Sequence, residues 1–123
     1  MTNILIYVGG AALIVWGIAH LAPTRQIVSS FEPISTDNRR ILTMEWIAEG
    51  LVHISIGAIA IFVAAFGDSG ATADLIYRCF AGVLLAIAAL TTFTGARTPV
   101  IWFKICPFLL SGVAALLLAR SWI

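Results

Sequence analysis

The stretch ILTMEWIAEGLVHISIGAIAIFVAAF, Ile41–Phe66, decides the fold of this chain. It is apolar over more than the ~20 residues that cross ~30 Å of hydrocarbon as a helix. Yet its first half carries Glu45, Glu49 and His53. Ionisable groups at membrane depth are costly unless they face a partner or a cavity. The run is therefore both a membrane span and the place where chemistry is to be sought.

The rest of the chain has the same character. Of 123 residues, 61% are hydrophobic and 11% charged. Soluble domains hold about half apolar and about a quarter charged residues, so this is a membrane composition. Three further apolar runs, Ile4–Leu21, Leu75–Phe93 and Val100–Ala119, are each near the length of a crossing. The expected fold is all-α, a four-transmembrane-helix bundle forming a single integral membrane domain. Such a length leaves no room for a separate soluble catalytic domain, so any site lies in the bundle or its loops. The run from Ile4 has no basic residue before it and is long for a signal-peptide core, so it reads as a retained span. A net charge of +1 argues against nucleic acid as a partner.

Charge placement predicts orientation. Arg25, Arg39, Arg40, Arg97 and Lys104 gather around the first and third connections. Asp68, Asp74, Arg78 and Arg120 lie at the other side. The Lys and Arg excess puts the first group in the cytoplasm and both termini outside, in a bacterial-type inner membrane. Cys79 and Cys106 then fall toward opposite faces and are not expected to form a disulfide.

The first connection, Ala22–Arg40, is more than a linker. Ile27, Val28, Phe31 and Ile34 recur at three- and four-residue spacing, as in a short interfacial piece ended by Pro33. Ser35-Thr36-Asp37 offers helix N-caps. In the fourth run Pro107 predicts a kinked helix with Lys104 near its start. Small residues mark expected packing faces: Gly10 and Gly17 on the first helix, Gly82, Ala86 and Ala89 on the third, Ser111, Ala115 and Ala119 on the fourth.

The polar stripe sets a charge problem. By helical rise Glu45 lies roughly 6 Å into its run, Glu49 about 12 Å and His53 about 18 Å. Steps of four drift by about 40°, so all three, with Gly57, share one stripe expected to face the interior. Two glutamates one turn apart repel, and far more in low dielectric than in water. A proton, a cation or a basic side chain from another helix must relieve them. Leu42 and Ile41 occupy the preceding turn, so Arg39 and Arg40 miss the intrahelical distance. The expected partners are His20, Arg97 and Lys104. Trp16 and Trp46 flank His20 and Glu45 and would wall a pocket for a flat or lipophilic ligand. His53, close to Ser55, reads as hydrogen-bonded packing. Thr94–Pro107 would cap the pocket.

Four readings of the stripe stay open. One is a non-catalytic subunit or scaffold with a structural buried ion-pair network. One is a cytoplasm-facing pocket for a lipophilic or quinone-like ligand, with Glu45, Glu49 and His20 as candidates for acid–base chemistry and Trp16, Trp46, His53, Arg97 and Lys104 around them. One is a metal site from Glu45, Glu49, His53 and His20, although the single Glu-x-x-x-His spacing differs from di-iron and zincin signatures. The last is a small transporter or proton pathway. The expected partners are the lipid bilayer and either further copies of the chain (a homo-oligomer) or a larger membrane complex.

In its whole architecture, and in the turn Gly17-Ile18-Ala19-His20-Leu21-Ala22-Pro23, the chain resembles small DoxX-like membrane proteins. Their pattern there is a glycine, a short spacer and a polar residue before the first loop. The resemblance implies a helical bundle. It also makes a quinone-like ligand an expectation, because some proteins of that type are linked to quinone-coupled oxidation of sulfur compounds. It carries over no catalytic residue, and the Glu45, Glu49 and His53 stripe matches no signature of that type. A weaker similarity is to sterol-isomerase-type bundles, which use acidic residues in a membrane pocket. Small multidrug transporters share the size, but their membrane glutamate lies in the first helix, and here that helix has none.

Overall fold

A computed structural model describes residues 2–120 and contains helices α1 (Thr2–Leu21), α2 (Thr24–Ser29), α3 (Thr36–Phe66), α4 (Ala71–Phe93) and α5 (Ile101–Arg120). A 3-10 turn, Gly95–Arg97, joins the last two. The structure is an all-α bundle. Four of its helices, all but α2, are long and apolar enough to cross a membrane, so the chain is a multi-pass membrane protein. Large side chains such as Ile4, Val15, Phe62 and Phe108 stand exposed on its outside. On a soluble protein that would be an aggregating surface; here it is the surface that meets lipid.

The ends of α3 follow from local chemistry. Ser35 has extended backbone angles, and its hydroxyl accepts from the Asn38 amide at 3.1 Å. That N-cap starts the helix at Thr36 rather than at Ile41, where the apolar run begins. Asp37 sits in the first turn, where the helix dipole favours a negative charge. The resulting 31-residue helix is longer than the bilayer requires, so its first turns overhang or the helix tilts. The preceding bend contains a cis Glu32–Pro33 peptide. There Arg39 pairs with Glu32, while Arg40 lies 3.5 Å from Asp37. Both arginines are thus engaged with acids of the same connection.

Helix order across the bundle is α3, α1, α5, α4, with α3 lying along α1 and α4 along α5. The outer two, α3 and α4, barely touch. Antiparallel α1 and α3 meet at two glycine pairs. A Cβ on Gly57 would lie 2.5 Å from the Gly10 carbonyl oxygen, and one on Gly17 would lie 2.7 Å from that of Gly50. Lipid tails give helices no hydrophobic reason to associate, so close backbone packing of this kind carries much of the attraction.

The small-residue faces expected on the last two long helices are not the ones used. Gly82, Ala86 and Ala89 are exposed, as is Ala115, and an added Cβ on Gly82 would meet nothing within 4 Å. The packed faces are Tyr77, Ala81, Leu84 and Ala88 on α4 against Leu110, Val113, Ala114 and Leu117 on α5. Larger side chains interdigitate there and make more dispersion contacts than a smooth glycine–alanine stripe can. α5 runs as one helix through Pro107. Cys79 is exposed and Cys106 buried, and both are free thiols.

At the end of the bundle opposite α2, Arg120 donates to Asp74 at 3.0 Å. The Arg120 guanidinium also lies 5.8 Å from the centre of the Tyr77 ring. This pair ties the last turn of α5 to the first turn of α4.

Candidate functional site

The site begins with the end of α1. The last carbonyls of a helix find no N–H donors within it and accept from donors outside. Trp46 of α3 supplies one: its indole Nε1–H donates to the His20 carbonyl at 2.8 Å. The same ring stacks on the His20 imidazole, with centroids 4.1 Å apart and planes 13° from parallel. Phe103 of α5 meets Trp46 edge-on at 5.9 Å. One tryptophan therefore fixes both the backbone and the ring of His20 and joins three helices.

His20 in turn faces Glu49. Its Nε2 is 3.7 Å from a Glu49 carboxylate oxygen, within ion-pair range but longer than a hydrogen bond. The His20 side chain is only 9% exposed, and Nε2 has no hydrogen-bond partner among the described residues. Behind it lies His53, fully buried, its ring centroid 6.3 Å from that of His20.

Next to this group is a cavity of about 740 Å³. The end of α1, Ile27 and Val28 of α2, the Leu42–Val52 part of α3, the end of α4 and the start of α5 contribute to it. Its lining is mostly apolar. Of the residues singled out from sequence, Trp16, His20, Glu45, Trp46 and Glu49 are on its wall. The stripe is graded: Glu45 is exposed, Glu49 half-buried, and His53 and Gly57 buried.

Three of the singled-out residues lie elsewhere. His53 is behind the wall, and its two ring nitrogens have no hydrogen-bond partner among the described residues. The expected contact with Ser55 is absent because two residues turn a helix by about 200°, which leaves Ser55 exposed on the far side. Arg97 and Lys104 do not line the cavity, and neither forms an ion pair with Glu45 or Glu49 among the described residues. Arg97 is drawn to the face of Phe93 instead, 5.9 Å from its ring centre. Lys104 is one step round α5 from Phe103, so the turn that aims the phenyl ring at Trp46 leaves the ammonium exposed. Nor are Glu45, Glu49, His53 and His20 gathered as ligands: among the described residues, no three of His, Cys, Asp and Glu are placed to hold a metal ion.

Several lining residues were not singled out from sequence as site residues. Ile27, Val28 and Phe31 of the first connection form one side, and Val28 is buried. Their three- and four-residue spacing was the available signal, but it reads equally as a helix lying on the membrane. Phe103, Cys106 and Thr91 complete the opposite side. Phe103 and Cys106 fall within Thr94–Pro107, the segment expected from sequence to cap the pocket, and Thr91 falls outside it. No family model, curated protein or solved structure matches this chain.

Proposed function

We propose that this membrane protein binds a lipophilic molecule with a flat head, quinone-like in shape, in the cavity at the α2 end of the bundle. The observation that carries the reading is the His20–Trp46 stack beside Glu49 on the wall of a largely apolar space of about 740 Å³. Ligand sites combine an apolar enclosure of this size with a few convergent polar groups. The stacked pair offers a planar surface, and His20 and Glu49 offer polar contacts at its edge. The likeness to DoxX-like bundles points the same way.

The experiment uses purified protein in lipid nanodiscs and a short-chain naphthoquinone, which quenches nearby tryptophans. The expected result is saturable quenching, above the linear background of partitioning into lipid, that is lost in Ala48→Phe. Ala48 lines the cavity, and a phenyl ring there takes up part of its volume. Linear quenching that is the same in both proteins would remove the ligand reading. It would favour the rival one, a non-catalytic scaffold held by its ion pairs.

The same end of the bundle is proposed to face the cytoplasm of a bacterial-type inner membrane. Arg25, Arg39, Arg40, Arg97 and Lys104 all belong to that end, which is the positive-inside pattern. Asp68→Cys is then expected to react with a membrane-impermeant maleimide in intact cells, and Thr98→Cys only after permeabilisation. Both positions are exposed. The reverse labelling pattern would invert the orientation.

A further inference from the structure

We propose that the head group this cavity takes is a cation, a protonated amine or a quaternary ammonium carried by a membrane amphiphile. The inference rests on the reading that the cavity is a ligand site and names the charge of what enters it.

The first observation is the charge of the wall. Glu45 and Glu49 both line the cavity, and no Arg or Lys does. The basic residues of this end are engaged or point elsewhere: Arg39 with Glu32, Arg40 with Asp37, Arg97 over Phe93, and Arg25 and Lys104 exposed. His20, protonated, offsets one carboxylate at most, and it stands 3.7 Å from Glu49 without a hydrogen bond. Two carboxylates one helical turn apart on the wall of a largely apolar cavity repel each other. A neutral occupant leaves that repulsion in place, and an anion adds to it. A cation between them removes it.

The second observation is the material of the wall. Trp16, Phe31, Trp46, Trp102 and Phe103 all contribute to the lining. Aromatic faces attract organic cations through the ring quadrupole, most strongly where water is displaced, and sites for quaternary ammonium groups are built from them. A cavity that joins aromatic rings to a wall with more carboxylates than basic groups suits a large, weakly hydrated cation better than a metal ion. The metal would need several oxygen or nitrogen ligands at short range, and these residues do not supply them.

The third is access. α3 and α4 barely touch, and the cavity is lined from both, by Val52 on one and by Ile87 and Leu90 on the other. An apolar tail can therefore lie between the two helices and reach the bilayer while the head stays beside Glu49. This arrangement fits an amphiphile that arrives from lipid, so it need not pass the arginines at the membrane surface.

The test is calorimetric titration of the full chain in zwitterionic nanodiscs. The probes share a naphthylmethyl group and differ in the head it carries: naphthylmethyl-trimethylammonium, naphthylmethanol and naphthylacetate. The cation is expected to bind about tenfold more tightly than the alcohol, and the carboxylate most weakly. Glu49→Gln is expected to cut the preference for the cation and leave the alcohol within about twofold of its parent value, since the amide keeps the shape but not the charge. Glu45→Gln, at an exposed position where folding is not in question, is expected to cut it in the same direction. If the alcohol binds as tightly as the cation, or if neither substitution lowers the preference, the cationic assignment falls and the ligand site stands. If none of the three shows saturable binding, both fall.

Discussion

Gly57→Val is expected to destabilise the bundle by about 3 kcal/mol, at the upper end of the cost of overpacking. The first atom of the new side chain would lie 2.5 Å from the Gly10 carbonyl oxygen and 3.0 Å from a side-chain carbon of Ile14. The carbonyl belongs to helix backbone and cannot turn aside. α1 and α3 would have to separate along their length, and the contacts at the second glycine pair would weaken as well. In lipid no gain in apolar burial offsets the lost dispersion. Gly50→Ala provides a graded comparison. Its Cβ meets the flexible end of Leu21 at 2.6 Å and the Gly17 carbonyl oxygen only at 3.2 Å. It should cost less than Gly57→Ala. Gly82→Ala and Gly112→Ala, where a Cβ has open space, should be neutral. Unfolding in a denaturing-detergent titration would order the series. If Gly57→Val unfolds at the parent's midpoint, the two backbones are not in close contact at Gly10.

The second large effect is expected at the other end of the bundle. Asp74→Ala should destabilise by about 2 kcal/mol, below the ~3–5 kcal/mol of a fully buried pair because Asp74 is partly exposed. The side chains of Arg120 and Asp74 are 13% and 30% exposed. Removing the carboxylate leaves a guanidinium that is nearly enclosed, beside the Tyr77 ring and with a buried Nε that already lacks a partner among the described residues. The damage comes from the stranded charge rather than from a lost attraction. Asp74→Asn combined with Arg120→Gln should therefore recover much of the loss in the same titration, because no net charge is left stranded. A double variant as unstable as the two single changes added together would show that the groups act independently. In the sequence these two residues served only as markers of orientation. Their pairing required α4 and α5 to lie antiparallel, with the first turn of one beside the last turn of the other.

The candidate site was legible in part. Glu45, Glu49 and His53 announce themselves because ionisable side chains are costly in an apolar run. Helical spacing correctly places them on one stripe. What spacing cannot supply is depth relative to neighbours. Glu45 emerges exposed, Glu49 half-buried and His53 enclosed because the close approach of α1 to α3 begins at Gly50 and continues to Gly57, so only His53 lies within it. Of the three basic partners expected opposite the glutamates, His20 faces Glu49, and the other two lie elsewhere for a related reason. Arg97 and Lys104 belong to the right end of the bundle, but long cationic side chains follow aromatic faces and open surface, and neither turns toward the carboxylates. His20 does, because Trp46 holds it there through a hydrogen bond and a stacked ring.

By itself the sequence determined that this protein is helical and crosses the membrane four times. Apolar length and the need to satisfy every backbone polar group inside lipid leave little else possible. It also determined the helical stripe on which the acidic residues lie, since that follows from the period of the helix alone. Only the tertiary structure decided which faces meet and what stands opposite the two glutamates. A chain apolar on nearly every side has no amphipathic pattern to orient its helices. Their rotation is left to the fit of individual side chains: glycine against backbone between α1 and α3, leucine and tyrosine against leucine and valine between α4 and α5. That same fit leaves α3 and α4 apart and opens the cavity beside His20 and Glu49.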